Sequence, residues 1–269
     1  MTPVVCTSLA CWPGLGHVEA ASLAQQGVVE PLFGTLSVAH VQVVPQSAGV
    51  FDPALAEAFR TSWPQTAWRL HANVRVLPER RVADLAGFDV HCDWFAQAAR
   101  VHRALGASAY SAHPGERAQA SMSRMLDHAR RCADLFGCAV AVEGQYPLPG
   151  AEPHRLLVST WAEYRSLLES DVPYAVDLSH LNILAHRSAS RDTALVAELL
   201  ACERCLEVHV SANDGSGDWH QVCECTPWWW PLLSRINPSA VVFSEGNHRR
   251  RTLERKSDDN HRPPVAAER

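Results

Sequence analysis

The sequence contains no apolar run approaching the roughly 18 residues that cross a bilayer, so no transmembrane segment is expected. Its first residues, MTPVVCTSLACWPG, lack the charged start and long apolar stretch of an export signal. Basic charge is also scarce. There are 24 Lys and Arg against 29 Asp and Glu, a formal net charge of -5, and the one dense basic run is Arg249-Arg250-Arg251. That is too little for a broad electrostatic footprint on nucleic acid. The nine cysteines are scattered, with one C-x-C at Cys223 and Cys225 and a single C-x-x-C at Cys202 and Cys205, and no paired CxxC motifs indicate a structural zinc module. Without an export signal they read as reduced thiols. These absences predict a cytoplasmic protein that neither inserts in membranes nor grips nucleic acid.

What is present is the material for one large core: 269 residues, 47% hydrophobic and 20% charged, a length close to that of an α/β barrel. Short strand-like runs alternate with helical stretches along the chain. The strand candidates are 3–9, 28–37, 68–76, 107–113, 138–143, 174–177, 205–210 and 240–245; the second is the poorest, because Pro31 and Gly34 interrupt it. Helical spacing marks 17–26, 51–63, 89–105, 116–136, 161–170, 192–202 and 228–236. Eight strands separated by helices predict the α/β class, a single (β/α)8 TIM barrel over residues 1–255. Residues 256–269 are polar with no apolar period and are expected to form a disordered tail. Residues 38–53 read as a long loop of the kind that covers a barrel's site.

Active sites of such barrels lie at the C-terminal ends of the strands, so what each strand ends in carries the functional information. The stretch Tyr174 to His180, YAVDLSH, delivers Asp177 and His180 together at one strand mouth. The third strand carries His71, the fourth ends at His113, the fifth at Glu143, the seventh at His209 and the eighth at Glu245, while Asp218 and His220 form a D-x-H pair after the seventh. A single such residue is most often structural. Nine in one register point to metal, and imidazole with carboxylate but no thiolate suits zinc, iron or manganese. Since one ion takes three or four protein ligands, nine imply two or three ions, with Glu143 and Glu245 as bridges.

The order H, H-P-G, E, D-x-x-H, H, D-x-H, E resembles that of the xylose-isomerase-like TIM-barrel superfamily, most closely its multinuclear branch: endonuclease IV, with three zinc ions, and the multinuclear non-haem iron oxidative enzymes. The resemblance spans about Trp68 to Glu245 and implies His71, His113, Glu143, Asp177, His180, His209, Asp218, His220 and Glu245 as metal ligands. Glu143, Glu245 and Asp177 are then the residues expected to act in catalysis. With the basic surface for DNA absent, the first expectation is an iron-dependent oxidative enzyme modifying a peptide, cysteine-containing or similar, or a small amino-acid-derived substrate, with a partner protein that delivers it. The alternatives are a sugar or sugar-phosphate isomerase or epimerase, matched only by Glu143, Asp177, His209 and Glu245, and a zinc-dependent phosphodiesterase like endonuclease IV.

Lesser features complete the reading. Arg117, Asn213, Trp228 and Arg249 are candidate substrate-binding residues on the same rim. The run Trp228-Trp229-Trp230 is read first as helix packing, and Cys223 and Cys225 as passive thiols rather than ligands. Asn73, Asn182, Asn213 and Gln145 are candidates for orienting the ligands.

Overall fold

Eight runs rich in Val, Ala, Tyr and Phe pair side by side, all parallel, and close on themselves. In the computed structural model, which describes residues 3–150 and 155–249, the first barrel strand is β1 (Val5–Ser8), followed by a hairpin outside the barrel, β2 (Val29–Glu30) and β3 (Gly34–Thr35). The other barrel strands are β4 (Ser37–Val43), β5 (Ala67–Leu70), β6 (Ala109–Ala112), β7 (Ala139–Glu143), β8 (Tyr174–Asp177), β9 (Cys205–Val210) and β10 (Val241–Ser244). Their order around the barrel is β1-β10-β9-β8-β7-β6-β5-β4. A parallel barrel needs crossovers, and these are helices: α1 (His17–Gln25), α2 (Pro53–Ser62), α3 (Cys92–Leu105), α4 (Met122–Phe136), α5 (Trp161–Glu169), α6 (Leu178–Ser188) and α7 (Thr193–Ala201). This is the expected (β/α)8 TIM barrel. Because every strand runs the same way, all eight C-terminal ends open on one rim. No helix among the described residues is long and apolar enough to cross a membrane.

Local chemistry sets the helix starts. Asp52 accepts from the Leu55 amide ahead of α2, Ser121 from Arg124 ahead of α4, Thr160 from Glu163 ahead of α5 and Asp192 from Leu195 ahead of α7. Capping also explains why the helical stretch expected from residue 116 begins only at Met122: Ser121 is the first residue able to cap it.

Four expectations are corrected. The second barrel strand is Ser37–Val43, inside the stretch that reads as a loop, whereas 28–37 folds as the β2–β3 hairpin. Gly34, at φ 71, makes the turn that a straight strand would not allow. The third strand is Ala67–Leu70 and stops before His71, shorter than 68–76. The helix expected at 228–236 is a 3-10 segment, Trp230–Arg235, because Pro231 removes a helical hydrogen-bond donor. Finally, α6, absent from the helical stretches expected above, follows β8 directly. The tail expected over 256–269 and the boundary at 255 lie outside the described residues.

One glycine limits the site's surroundings. Gly144 follows Glu143, and a Cβ there would run into the ring of Tyr164, which is fully buried and donates its hydroxyl to the Gln145 carbonyl at 2.9 Å. Gly144→Ala is expected to cost about 1–3 kcal/mol by overpacking. Urea denaturation reads this directly, and an unchanged midpoint would contradict the packing.

Candidate metal centre

Six of the eight barrel strands, β5 to β10, contribute a donor at or near their C-terminal ends. Glu143 closes β7 and Asp177 closes β8, His209 lies in β9, and Glu245, His71 and His113 are the first residues past β10, β5 and β6. Asp177 also caps α6, its Oδ1 accepting from the amides of Ser179 (2.6 Å) and His180 (3.1 Å). That cap fixes His180 in the first helical turn beside it. Asp218 and His220 arrive on the loop after β9, which is closed by reciprocal backbone bonds between Ala212 and Gln221. His220 sits at φ 47, a left-handed conformation unusual for a non-glycine residue, and the loop closure holds it there.

The nine expected residues converge. His71 Nε2 lies 2.7 Å from Glu143 Oε2, which is also 3.6 Å from His209 Nδ1 and 3.8 Å from His113 Nε2. The other oxygen of Glu143 is 3.8 Å from His180 Nδ1. His180 Nε2 is 3.4 Å from both Asp177 Oδ2 and Asp218 Oδ2, and Asp218 Oδ2 is 2.9 Å from His220 Nε2. Glu245 reaches His209 Nδ1 (3.8 Å) and His220 Nδ1 (3.4 Å) with its two oxygens. Three compact donor groups stand out: His71, His113 and Glu143; His71, His209 and Glu245; and Glu143, Asp177 and His180.

The imidazoles are oriented from behind. His71 Nδ1 donates to the Ala72 carbonyl (3.2 Å), His180 Nδ1 to the Gly144 carbonyl (2.8 Å) and His209 Nε2 to Glu207 Oε2 (3.3 Å). His113 Nδ1 faces Asp84 at 3.6 Å, and Asp84 is held by Asn73 (2.8 Å). In each ring the remaining nitrogen faces the carboxylates, which is how metal-ligating histidines are oriented. Glu207 is itself buried and held by Gln42 (3.0 Å), Ser111 (2.5 Å) and Arg69 (3.3 Å). Sequence reasoning misses Glu207, Asp84 and Gln42. Glu207 is findable, because it shares a strand face with His209 two residues on; Asp84 lies in a loop with no signal of its own.

The donors present fit bound cations. Asp177 Oδ2, His209 Nδ1 and His220 Nδ1 are buried with no hydrogen-bond partner among the described residues, a costly arrangement unless something else satisfies them. The protein alone answers with protons. Burial opposes charge on His180, but Asp177, Asp218 and Glu143 outweigh it and raise the pKa to about 10. Burial likewise opposes charge on His220, where the Asp218 hydrogen bond and the charge of Glu245 prevail and raise it to about 9. Both folded values lie above the ordinary 6.5, so their stabilisation is complete below about pH 6.5 and lost as pH rises toward 9–10. Metal-free protein is therefore expected to melt lower as pH climbs through that window, while metal-loaded protein does not follow. Adding zinc to metal-free protein at neutral pH should also release protons, measurable in weak buffer; an unchanged pH would contradict this.

All the donors but His209 line a cavity of about 140 Å³ together with Gln145, Tyr146, Pro45 and Gln46. His220 also borders a larger cavity of about 560 Å³, lined among others by Asn182, Arg191, Asn213, Trp228 and Asn247. There Trp228 Nε1 donates to Asn182 Oδ1 (2.9 Å), Asn182 Nδ2 donates to Asn213 Oδ1 (2.8 Å), and Arg191 lies 5.7 Å from the Trp228 ring centre. The other two substrate candidates are placed elsewhere: Arg117 pairs with Glu163 (2.7 Å) and Arg249 donates to the Pro13 carbonyl (2.8 Å). Of the tryptophan run, Trp229 is fully buried and Trp230 packs at a tilt against Phe33.

Fold and strand-end donors define the chain as a TIM barrel with a donor-lined rim. No model of a known protein family matches it, and no curated protein does. Solved structures do. A D-tagatose 3-epimerase-like protein superposes with a TM-score of 0.64 at 14% identity over 96% of each chain. An AP endonuclease, family 2, from Brucella melitensis gives 0.60 at 17% identity over 91% of this chain and 93% of that one. Endonuclease IV from Thermus thermophilus gives 0.54 at 17% identity over 96% of this chain and 100% of that one. At such identities the likeness is one of fold.

Proposed function

We propose that the chain is a metal-dependent enzyme that holds two or three divalent cations at the barrel rim and hydrolyses a phosphoester. The observation that carries this reading is the surrounding of Glu143, whose two oxygens have four imidazoles within 3.8 Å. A carboxylate so placed suits a ligand shared between ions. It does not suit a proton carrier, since its pKa is held well below the ordinary value: burial raises it, but His71 and His209 overcome burial. An isomerase or epimerase, the reaction printed in the name of the first neighbour, would need Glu143 or Glu245 to pass a proton between carbons. It would also leave His71, His113 and His220 without a role.

Bound divalent ions supply Lewis acidity, lowering the pKa of water and polarising a phosphoryl oxygen. This chain's residues do the rest. Asp177 and Glu245 line the wall that accepts the proton of the attacking water. Net, one water is consumed, its oxygen bonds to phosphorus, and the ester oxygen leaves as an alcohol. The organic group fits the larger cavity, where Trp228 offers a flat face and Arg191 a cation. The net charge of -5 argues for a small ester over a nucleic acid. Expected iron-dependent oxidation of a peptide gains no support from neighbours named as epimerases and endonucleases, although the same donors serve iron, zinc and manganese. The test is nitrophenol release from p-nitrophenyl phosphate and its bis ester with added zinc or manganese. Metal-dependent turnover is expected; no turnover by protein carrying two or more ions would sink the reading.

A further inference from the structure

A second donor cluster, sharing no residue with the nine rim donors, lies beside the rim next to Ser244 and Glu245. Cys11 ends the 3-10 turn after β1, Glu30 lies in the β2–β3 hairpin, and His248 follows β10. A donor atom from each lies within 4.8 Å of the other two. Cys11 and Glu30 are fully buried. Glu30 Oε1 accepts from Ser244 Oγ (2.5 Å) and His248 Nε2 (3.0 Å), whereas Glu30 Oε2 is buried with no hydrogen-bond partner among the described residues. A buried carboxylate oxygen left unsatisfied is costly, and here it stands beside a thiol and an imidazole.

We propose that Cys11, Glu30 and His248 form a second metal site that binds one thiophilic divalent cation, zinc by its donor set, and fastens the β2–β3 hairpin to the barrel end. One sulfur, one nitrogen and one oxygen donor match zinc with a fourth position for water, and the thiolate selects against magnesium, calcium and manganese. Without a cation the thiol is inert: burial first, then the charges of Glu30 and Glu245, push it well up. A bound cation reverses this, because a coordinating thiol loses its proton. Nothing here depends on what the rim catalyses.

Sulfur separates the two sites spectroscopically, since none of the nine rim donors is a thiolate. The full chain is loaded with cobalt(II) and its near-ultraviolet absorption is recorded. A thiolate-to-cobalt charge-transfer band equivalent to one thiolate per chain is expected, displaced by zinc. It should persist in a Cys92→Ser, Cys225→Ser double variant, which removes the two exposed thiols. It should vanish in Cys11→Ser while the visible bands of rim cobalt remain, showing a folded protein. Glu30→Gln keeps the thiol and should weaken cobalt binding at this band about tenfold or more, a check available even where Cys11→Ser does not fold. Absence of the band in cobalt-saturated protein, or its survival in Cys11→Ser, overturns the proposal.

Discussion

Glu143→Gln is expected to slow phosphoester hydrolysis about a thousand-fold or more and to lower the metal content of the purified protein. The side chain keeps its shape and loses its charge. A ligand shared between ions contributes several kcal/mol to their hold on the reacting oxygens, and each ~1.36 kcal/mol is tenfold in rate. Four imidazoles lie within 3.8 Å of this one carboxylate, against two for Glu245. The loss in Glu245→Gln should accordingly be smaller. Steady-state rates and metal analysis of the two variants test this, and equal rates in Glu143→Gln and the unaltered protein would contradict the shared-ligand account.

Removing the metals should cost stability on a comparable scale. The rim places Glu143, Asp177 and His209 within the barrel mouth at or below 2% exposure, and charges so buried are tolerated only when paired. An ion present at about a thousand times its dissociation constant stabilises the folded state by about 4 kcal/mol. At this chain length each kcal/mol moves the midpoint by about 2–4 °C. Chelation is therefore expected to lower the melting temperature by about 10 °C near neutral pH, by more at pH 9 as the imidazolium charges of His180 and His220 are lost, and zinc should restore it. A melting curve indifferent to chelator would contradict the account.

The parts of this architecture legible in the sequence are those where burial and chemistry agree. AVAVE, YAVD and CLEVHV carry apolar residues that pack and a donor at or next to the last position, so both strand and ligand can be read from them. Strand β4 is hidden because its inward residue is Gln42, committed to Glu207 inside the barrel. A polar side chain facing a buried network looks, in sequence, like one facing water. The hairpin before it has the opposite disguise: Val29 is two-thirds exposed despite being apolar. Helix α6 escapes notice because its cap, Asp177, is also a strand-end donor, and one residue serving both purposes leaves no separate start signal. The cluster of Cys11, Glu30 and His248 cannot be read at all, since its members come from distant segments that only barrel closure brings together.

The central claim is a rim that holds more than one ion. It is tested most directly by counting metal equivalents per chain in Cys11→Ser protein loaded with zinc and freed of excess, so that the thiolate cluster does not contribute. Two or three equivalents are predicted, falling by at least one when His71 and His113 are both replaced by Ala. One equivalent, unaffected by that double replacement, would contradict a multinuclear centre and return Glu143, Asp177, His209 and Glu245 to service as a single-ion site.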